Sequence, residues 1–331
     1  VFWEDLCSEL AKPGNKDLLA KHYGQWLETL RPPVMQAPDC PPNYVERPFE
    51  LQRLKKKLLS AERGAPPPVS RAILHGMPGS GKSVLAAAFA RDGAIRDAFP
   101  DGILWVTLGT ESDLPQRLAD WGRALKDPSV SNSPYPDVQA GTSALRGRLQ
   151  DRACLLIVDD VWEKEHAKPF LVGGPQSLLL VTSRKAEALP GATPIRPRKM
   201  PAEKALELMA NWSGDIDDAD QPIASWLASE VGYLPLALEL LAAKAKQPTG
   251  NWPEVRQRWK ARRLAAIRSG RRATRKEDSL QTSLELSLEG LHEDDREPYL
   301  QLGIFPEDTP FPVSAATALW GWGEFDAKDF L

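Results

Sequence analysis

The chain has 331 residues, 42% of them apolar and 26% charged, enough to bury a core in about two domains of ordinary size. Lys and Arg number 42 against 45 Asp and Glu, a net charge of −3, which excludes a globally basic nucleic-acid binder. No apolar run nears the ~18 residues that span a bilayer and no secretory signal opens the chain. Three scattered cysteines exclude a disulfide framework, so the expected location is the reducing cytoplasm, with no membrane partner.

Residues 1–30 place apolar side chains at helical spacing, from Phe2, Leu6 and Leu10 to Leu19, Tyr23, Trp26, Leu27 and Leu30. Pro13-Gly14-Asn15 divides them into two short helices. The chain starts at Val1, not Met, and stops at Leu331 in mid-pattern, as part of a longer polypeptide would; 1–30 is therefore expected to be the helical end of an N-terminal effector domain. Pro32, Pro33, Pro38, Pro41 and Pro42 mark 31–43 as a stiff linker that resists regular structure.

Leu51–Ala61 reads as a helix with a basic face at Lys55, Lys56 and Lys57, and Pro66-Pro67-Pro68 breaks the chain before a short strand at Ala72–Leu74. Ile103–Val106, Leu155–Val158 and Leu178–Val181 are further apolar runs of strand length, and runs without alternation suit strands covered on both faces. Helical patterns at Val84–Arg91, Leu114–Leu125 and Val138–Leu149 fall between strands. The alternation predicts an α/β domain with a parallel sheet over 44–195.

Beyond residue 195 the strand signal ends. Pro201–Trp212, Ile223–Val231, Leu236–Lys246, Pro253–Arg263, Leu280–Leu291 and Asp295–Gly303 read as helices, and Pro201 and Pro253 suit the first helical position. They predict an all-α continuation, assigned to 196–272 and 273–331.

Gly76-Met77-Pro78-Gly79-Ser80-Gly81-Lys82-Ser83 matches G-x-x-x-x-G-K-[ST] without a gap, after a predicted strand and before a predicted helix. Glycines let backbone N–H groups turn inward around a phosphate, and the helix N-terminus adds positive charge. Lys82 is expected to reach the β/γ-phosphates and Ser83 to ligate Mg²⁺. Asp159 and Asp160 close the strand Leu155–Val158, which puts two carboxylates at the ligand-binding edge of an α/β sheet. Asp159 is expected to hold Mg²⁺ through water, and Asp160 to position or deprotonate the attacking water. Arg184, closing Thr182-Ser183-Arg184 on the next strand, carries the fixed charge and fork that suit a γ-phosphate. The alternative for Arg184 is a plain surface arginine.

Taken in order, V-x-R-x-x-E from Val45, GMPGSGKS, LLIVDDVW, LLLVTSR, GYLPLAL and YLQLGIFPED resemble the NB-ARC module of the STAND P-loop ATPases. That is the family of the apoptotic protease-activating factors and NLR-type immune receptors. The resemblance spans roughly residues 44 to 331. It implies a P-loop domain (44–195), a helical domain (196–272) and an incomplete winged-helix domain (273–331) closing over ATP or ADP with Mg²⁺. By position, Val45 and Pro235 would contact adenine, Arg47 would lie near the nucleotide, and Arg184 would sense the γ-phosphate. The binding set is then Val45, Arg47, Gly76, Gly79, Ser80, Gly81, Lys82, Ser83, Val84, Arg184 and Pro235. Lys82 and Asp160 are the catalytic pair, and Ser83 and Asp159 the metal ligands. The chain ends before the family's M-H-D segment, whose histidine contacts the ADP β-phosphate.

The resemblance also implies a slow ATPase used as a switch, which on activation self-associates into a ring or smaller oligomer and gathers effector domains in innate-immune or cell-death signalling. Its trigger would be sensed by a C-terminal domain beyond this chain. Val1–Leu6 resembles the F-W segment opening the last TIR helix, or is an amphipathic helix with a chance Phe-Trp pair; a TIR effector would imply NAD cleavage and bacterial antiphage defence. A STAND transcriptional regulator and an AAA-type remodelling ATPase are the alternatives. The latter usually carries Glu after the strand's Asp, where this chain has the shorter Asp160. Ten Lys and Arg with no acid between Arg256 and Lys276 read as a solvated helix face or subunit contact rather than a nucleic-acid patch.

Overall fold

The computed structural model describes residues 33–59, 71–110, 112–246, 251–268, 297–299, 301–305 and 311–330. Strands β1 (Val34–Met35), β2 (Arg71–His75), β3 (Gly102–Gly109), β4 (Cys154–Val161), β5 (Leu178–Ser183) and β6 (Thr193–Ile195) form one sheet in the order β1-β3-β4-β5-β2-β6. Every neighbouring pair is parallel, as the alternation of strand and helix predicts.

Both faces are covered. Leu155 and Ile157 of β4 point to α1 (Pro48–Leu59) and α2 (Lys82–Arg91), where Leu54, Leu58, Leu85 and Phe89 complete one core. The short α3 (Gly93–Ala98) adds Ile95 on this side. The alternate residues Leu156 and Val158 meet α4 (Leu114–Ala124) and α5 (Val138–Leu149) through Leu118, Trp121, Leu145 and Leu149. The two-residue period of a strand thus sorts one apolar run into two cores.

A separate core is built by α6 (Ala202–Ser213), α7 (Gln221–Glu230), α8 (Pro235–Lys246) and α9 (Trp252–Arg268), around Leu208, Leu227, Leu238, Leu241, Trp252 and Trp259. Val45 belongs to this core although it lies between β1 and β2 in sequence. Further on, α10 (Val313–Trp320) and α11 (Glu324–Phe330) are described, and Leu302–Ile304 forms a 3-10 turn across the end of the helix predicted at Asp295–Gly303. The helices predicted within 1–30 and at Leu280–Leu291 lie outside the described residues. Among the described residues no helix is long and apolar enough to cross a membrane.

The proline-rich stretch departs from the expected spacer. Val34 and Met35 pair with Gly102 and Ile103, Gln36 donates its N–H to the Ile103 carbonyl at 3.0 Å, and Arg91 donates to the carbonyls of Ala37 and Pro38. An edge strand offers unpaired backbone groups, and this segment satisfies those of β3. Pro33 and Pro38 flank the pairing, which fits an edge strand of only two residues. The unpredicted β6 lies at the opposite edge, where Pro194 is tolerated for the same reason.

Candidate nucleotide site

The phosphate loop runs from the end of β2 into α2. Gly79 at φ 69° and Gly81 at φ 80° adopt left-handed backbone that a side chain would strain, the kind of conformation by which a loop can turn N–H groups toward an anion. Gly76 donates its N–H to the Ser183 carbonyl at 3.2 Å, which ties the loop to β5. Lys82 is buried, and its Nζ donates to the Gly76 and Met77 carbonyls at 3.2 and 3.1 Å. Burial pushes the lysine's pKa down, Arg184 adds to that, and Asp160 and Asp159 oppose it. Both acids and Arg184 therefore act on Lys82 at the carboxyl edge of the sheet. Ser80 Oγ is buried without a hydrogen-bond partner among the described residues, and Ser83 sits half-buried in the first turn of α2.

The exit of β4 is bent. Its register against β5 shifts between Val158 and Val161, and Asp160 takes φ 51°. Thr182 holds the bend from β5: its Oγ1 donates to Asp159 Oδ1 at 2.6 Å and accepts the Asp160 N–H at 2.9 Å. Asp159 is thereby buried, while Asp160 stays half-exposed, with Oδ2 accepting from the Trp162 indole N–H at 2.9 Å. Arg184 is exposed and lays its guanidinium over the Trp162 ring, 3.8 Å from the centroid.

Beside the loop lies a cavity of about 210 Å³, and six residues expected at the nucleotide line it: Val45, Arg47, Gly79, Gly81, Val84 and Pro235. Arg47 is 6% exposed; it donates to the Arg198 carbonyl at 2.5 Å, and burial lowers its pKa against the opposing influence of Glu50 and Tyr44. Among the described residues its Nε has no partner, nor have Tyr44 Oη and Trp212 Nε1 in the same wall. Buried polar atoms are almost always paired, so three such groups around an apolar cavity suit a flat ligand with polar edges. Glu239 also lines it, with its carboxyl pKa raised by burial. The Leu236 N–H donates to the Gly79 carbonyl at 3.2 Å, which seats the start of α8 on the loop. Gly76 and Ser80 instead border a neighbouring cavity of about 390 Å³, next to His75, Arg196 and Tyr233.

The donors fit a nucleotide triphosphate or diphosphate with its cation. The glycine loop and Lys82 would take the phosphates, and the apolar cavity the base. Ser83 and Asp159 would hold Mg²⁺, which keeps waters and phosphate oxygens as its remaining ligands and needs no protein cage. Sequence reasoning missed Thr182 and Trp162, which lie inside quoted motifs but show their contacts only when β4 and β5 pair. It also missed Tyr44, Trp212 and Glu239, whose positions in the chain carry no motif.

Comparison with known proteins agrees with this fold. The chain is 27% identical over 308 residues to apoptotic protease-activating factor 1 of Danio rerio, covering 89% of this chain and 24% of the relative. It is 27% identical to disease resistance protein ADR1 of Arabidopsis thaliana, over 75% of this chain and 28% of the relative. It thus spans about a quarter of the length of these curated relatives. Among solved structures, a signal transduction ATPase with numerous domains carrying a tetratricopeptide repeat sensor, from Pyrococcus horikoshii, aligns with 91% of the chain and 40% of its own at a TM-score of 0.57 and 14% identity, a likeness of fold. The NB-ARC domain model matches residues 49–218, just over half the chain, from α1 through the phosphate loop, the acid strand and Arg184 into the helical core. The chain belongs to the NB-ARC family.

Proposed function

We propose that this chain is the nucleotide-binding module of an ATP/ADP-dependent switch whose slow Mg²⁺-dependent hydrolysis resets it. The observation that carries this reading is the construction of the cavity. Val84 and the loop glycines come from the sheet domain, whereas Pro235, Leu236 and Glu239 come from α8 of the helical core. A ligand there touches both units, so a change in its phosphates can change how they sit. That is the differential contact a ligand-driven switch requires.

Arg184 is the proposed reader of the γ-phosphate, and Asp160 the group that orients the attacking water. A charge-assisted hydrogen bond supplies about 1.5–3 kcal/mol. Moving a two-state protein from 1:99 to 99:1 takes about 5.5 kcal/mol. Arg184 alone is therefore insufficient, and a latch, a trigger or neighbouring subunits must add the rest. The relatives named for apoptosis and disease resistance favour a signalling role; assembly in the cytoplasm, with the sensor outside this chain and a TIR effector, belongs to the same proposal.

Nucleotide released from the purified, denatured protein and identified by mass spectrometry tests the reading. ADP or ATP is expected from the wild type, and next to none from Lys82→Ala. Equal occupancy in both proteins would remove the phosphate loop from the account.

A further inference from the structure

Trp162 touches both groups to which the switch assigns a task. Its indole N–H, a donor only, is bonded to Asp160 Oδ2 at 2.9 Å, and its ring carries the Arg184 guanidinium at 3.8 Å. The two partners are held differently, the carboxylate on a pinned backbone and the arginine on an exposed side chain. Asp160 cannot swing freely, because its left-handed backbone is pinned through its N–H to Thr182 on β5. Arg184 leaves β5 directly after Thr182 and Ser183, and Lys185 next to it reaches Glu163 beside Trp162 at 3.8 Å. The exits of β4 and β5 are thus cross-connected by side chains of opposite or complementary character, and Trp162 lies at the centre of the connection.

We propose that Trp162 is a positioning residue that couples the arginine to the carboxylate: its ring holds Arg184 away from the phosphate position while its N–H aims Asp160. This rests on the reading of Arg184 and Asp160 given above. A guanidinium over an indole face is an electrostatic contact of modest strength at an exposed site. A γ-phosphate oxygen beside Lys82 is a stronger partner for the same fork. Arg184 can therefore leave the ring when the γ-phosphate is present and return when it is absent. Trp162 would then set how much ATP is favoured over ADP, through Arg184, and separately how well the water is oriented, through Asp160.

The two contacts can be separated by substitution. Trp162→Leu removes both, and releasing Arg184 is expected to raise the ratio of ATP to ADP affinity about two- to fivefold. Arg184→Ala is expected to lower the same ratio, so the two variants move it in opposite directions. A merely structural role for Trp162 would not give opposite signs. Trp162→Phe keeps a ring under Arg184 but deletes the N–H. Its affinity ratio should stay within about twofold of wild type, while single-turnover hydrolysis slows by about ten- to a hundredfold. The emission difference between wild type and Trp162→Phe isolates Trp162 from the other tryptophans, and it should change on adding ATP but not ADP.

The affinities would be measured by calorimetry with ATP and ADP on all four proteins, with hydrolysis blocked by omitting Mg²⁺. A ratio that falls in Arg184→Ala but fails to rise in Trp162→Leu overturns the coupling and leaves the switch intact. A ratio unchanged in Arg184→Ala removes the sensor, and the coupling with it. Unchanged hydrolysis in Trp162→Phe overturns the aiming of Asp160.

Discussion

The Leu236 N–H is hydrogen-bonded to the Gly79 carbonyl at 3.2 Å, so the helical core is joined to the sheet domain by the backbone of the phosphate loop itself. The two residues also leave no room between them. A Cβ on Gly79 would stand 2.8 Å from Leu236 Cβ, and Gly79 occupies φ 69°.

Gly79→Ala should therefore weaken ADP binding by at least about tenfold, through backbone strain of about 1–2 kcal/mol and the displacement of α8. Calorimetric titration of ADP checks this. Gly147→Ala is the control: that glycine lies within α5 with nothing within 4 Å of an added Cβ. It should leave ADP affinity unchanged and stabilise the fold by about 0.5–1 kcal/mol.

Asp160→Asn should separate binding from hydrolysis. The amide oxygen still accepts the Trp162 N–H that now reaches Asp160 Oδ2 at 2.9 Å, so the shape of the site persists while the basic carboxylate is lost. Single-turnover ATP hydrolysis is expected to slow by about a hundredfold or more, with ADP affinity close to wild type. An unchanged rate would assign the water to another group.

A second carboxylate sets a pH limit on stability. Burial penalises the charge of Asp127, but it accepts from Ser129 Oγ at 2.7 Å, Ser129 N at 3.0 Å and Tyr135 Oη at 2.8 Å, and pairs with Arg148 at 3.1 Å. Together these hold its carboxyl well below the usual carboxylate range. A folded-state pKa below the unfolded value gives stability that is fully present above about pH 4 and is lost as the pH falls toward the folded value. Asp127→Asn should cost about 2–3 kcal/mol at neutral pH. The gap from wild type should shrink in urea melts taken between about pH 4 and pH 2. A gap that stays constant over that range would mean that the carboxylate's charge contributes nothing.

The sheet was readable because β4 and β5 are apolar without alternation, and only strands buried on both faces are built that way. Val34–Met35 was not readable: two residues show no periodicity, and their strand character comes from the exposed edge of β3. At the site, Gly76 to Ser83 is contiguous and readable as a motif. Val45, Arg47 and Pro235 came from the family resemblance, and the fold brings them to one cavity with Val84, which follows the motif. Trp212 and Glu239 reach that cavity from two helices of the other core. No local pattern distinguishes such residues from an ordinary helix face, because their proximity exists only after the helical core has packed on the loop.

The central claim is that the γ-phosphate changes the arrangement of the molecule, and assembly state reads this most directly. The full-length protein carrying Asp160→Asn, which should retain ATP without hydrolysis, would be given its trigger, loaded with ATP or with ADP, and its mass measured by light scattering. The heterologous contacts expected of a ring or short oligomer predict a defined multiple of the protomer mass with ATP and a monomer with ADP. Adding Arg184→Ala should reduce the assembled fraction with ATP and leave the ADP form unaltered. Identical masses in the two nucleotides would contradict the switch and leave an ordinary P-loop hydrolase.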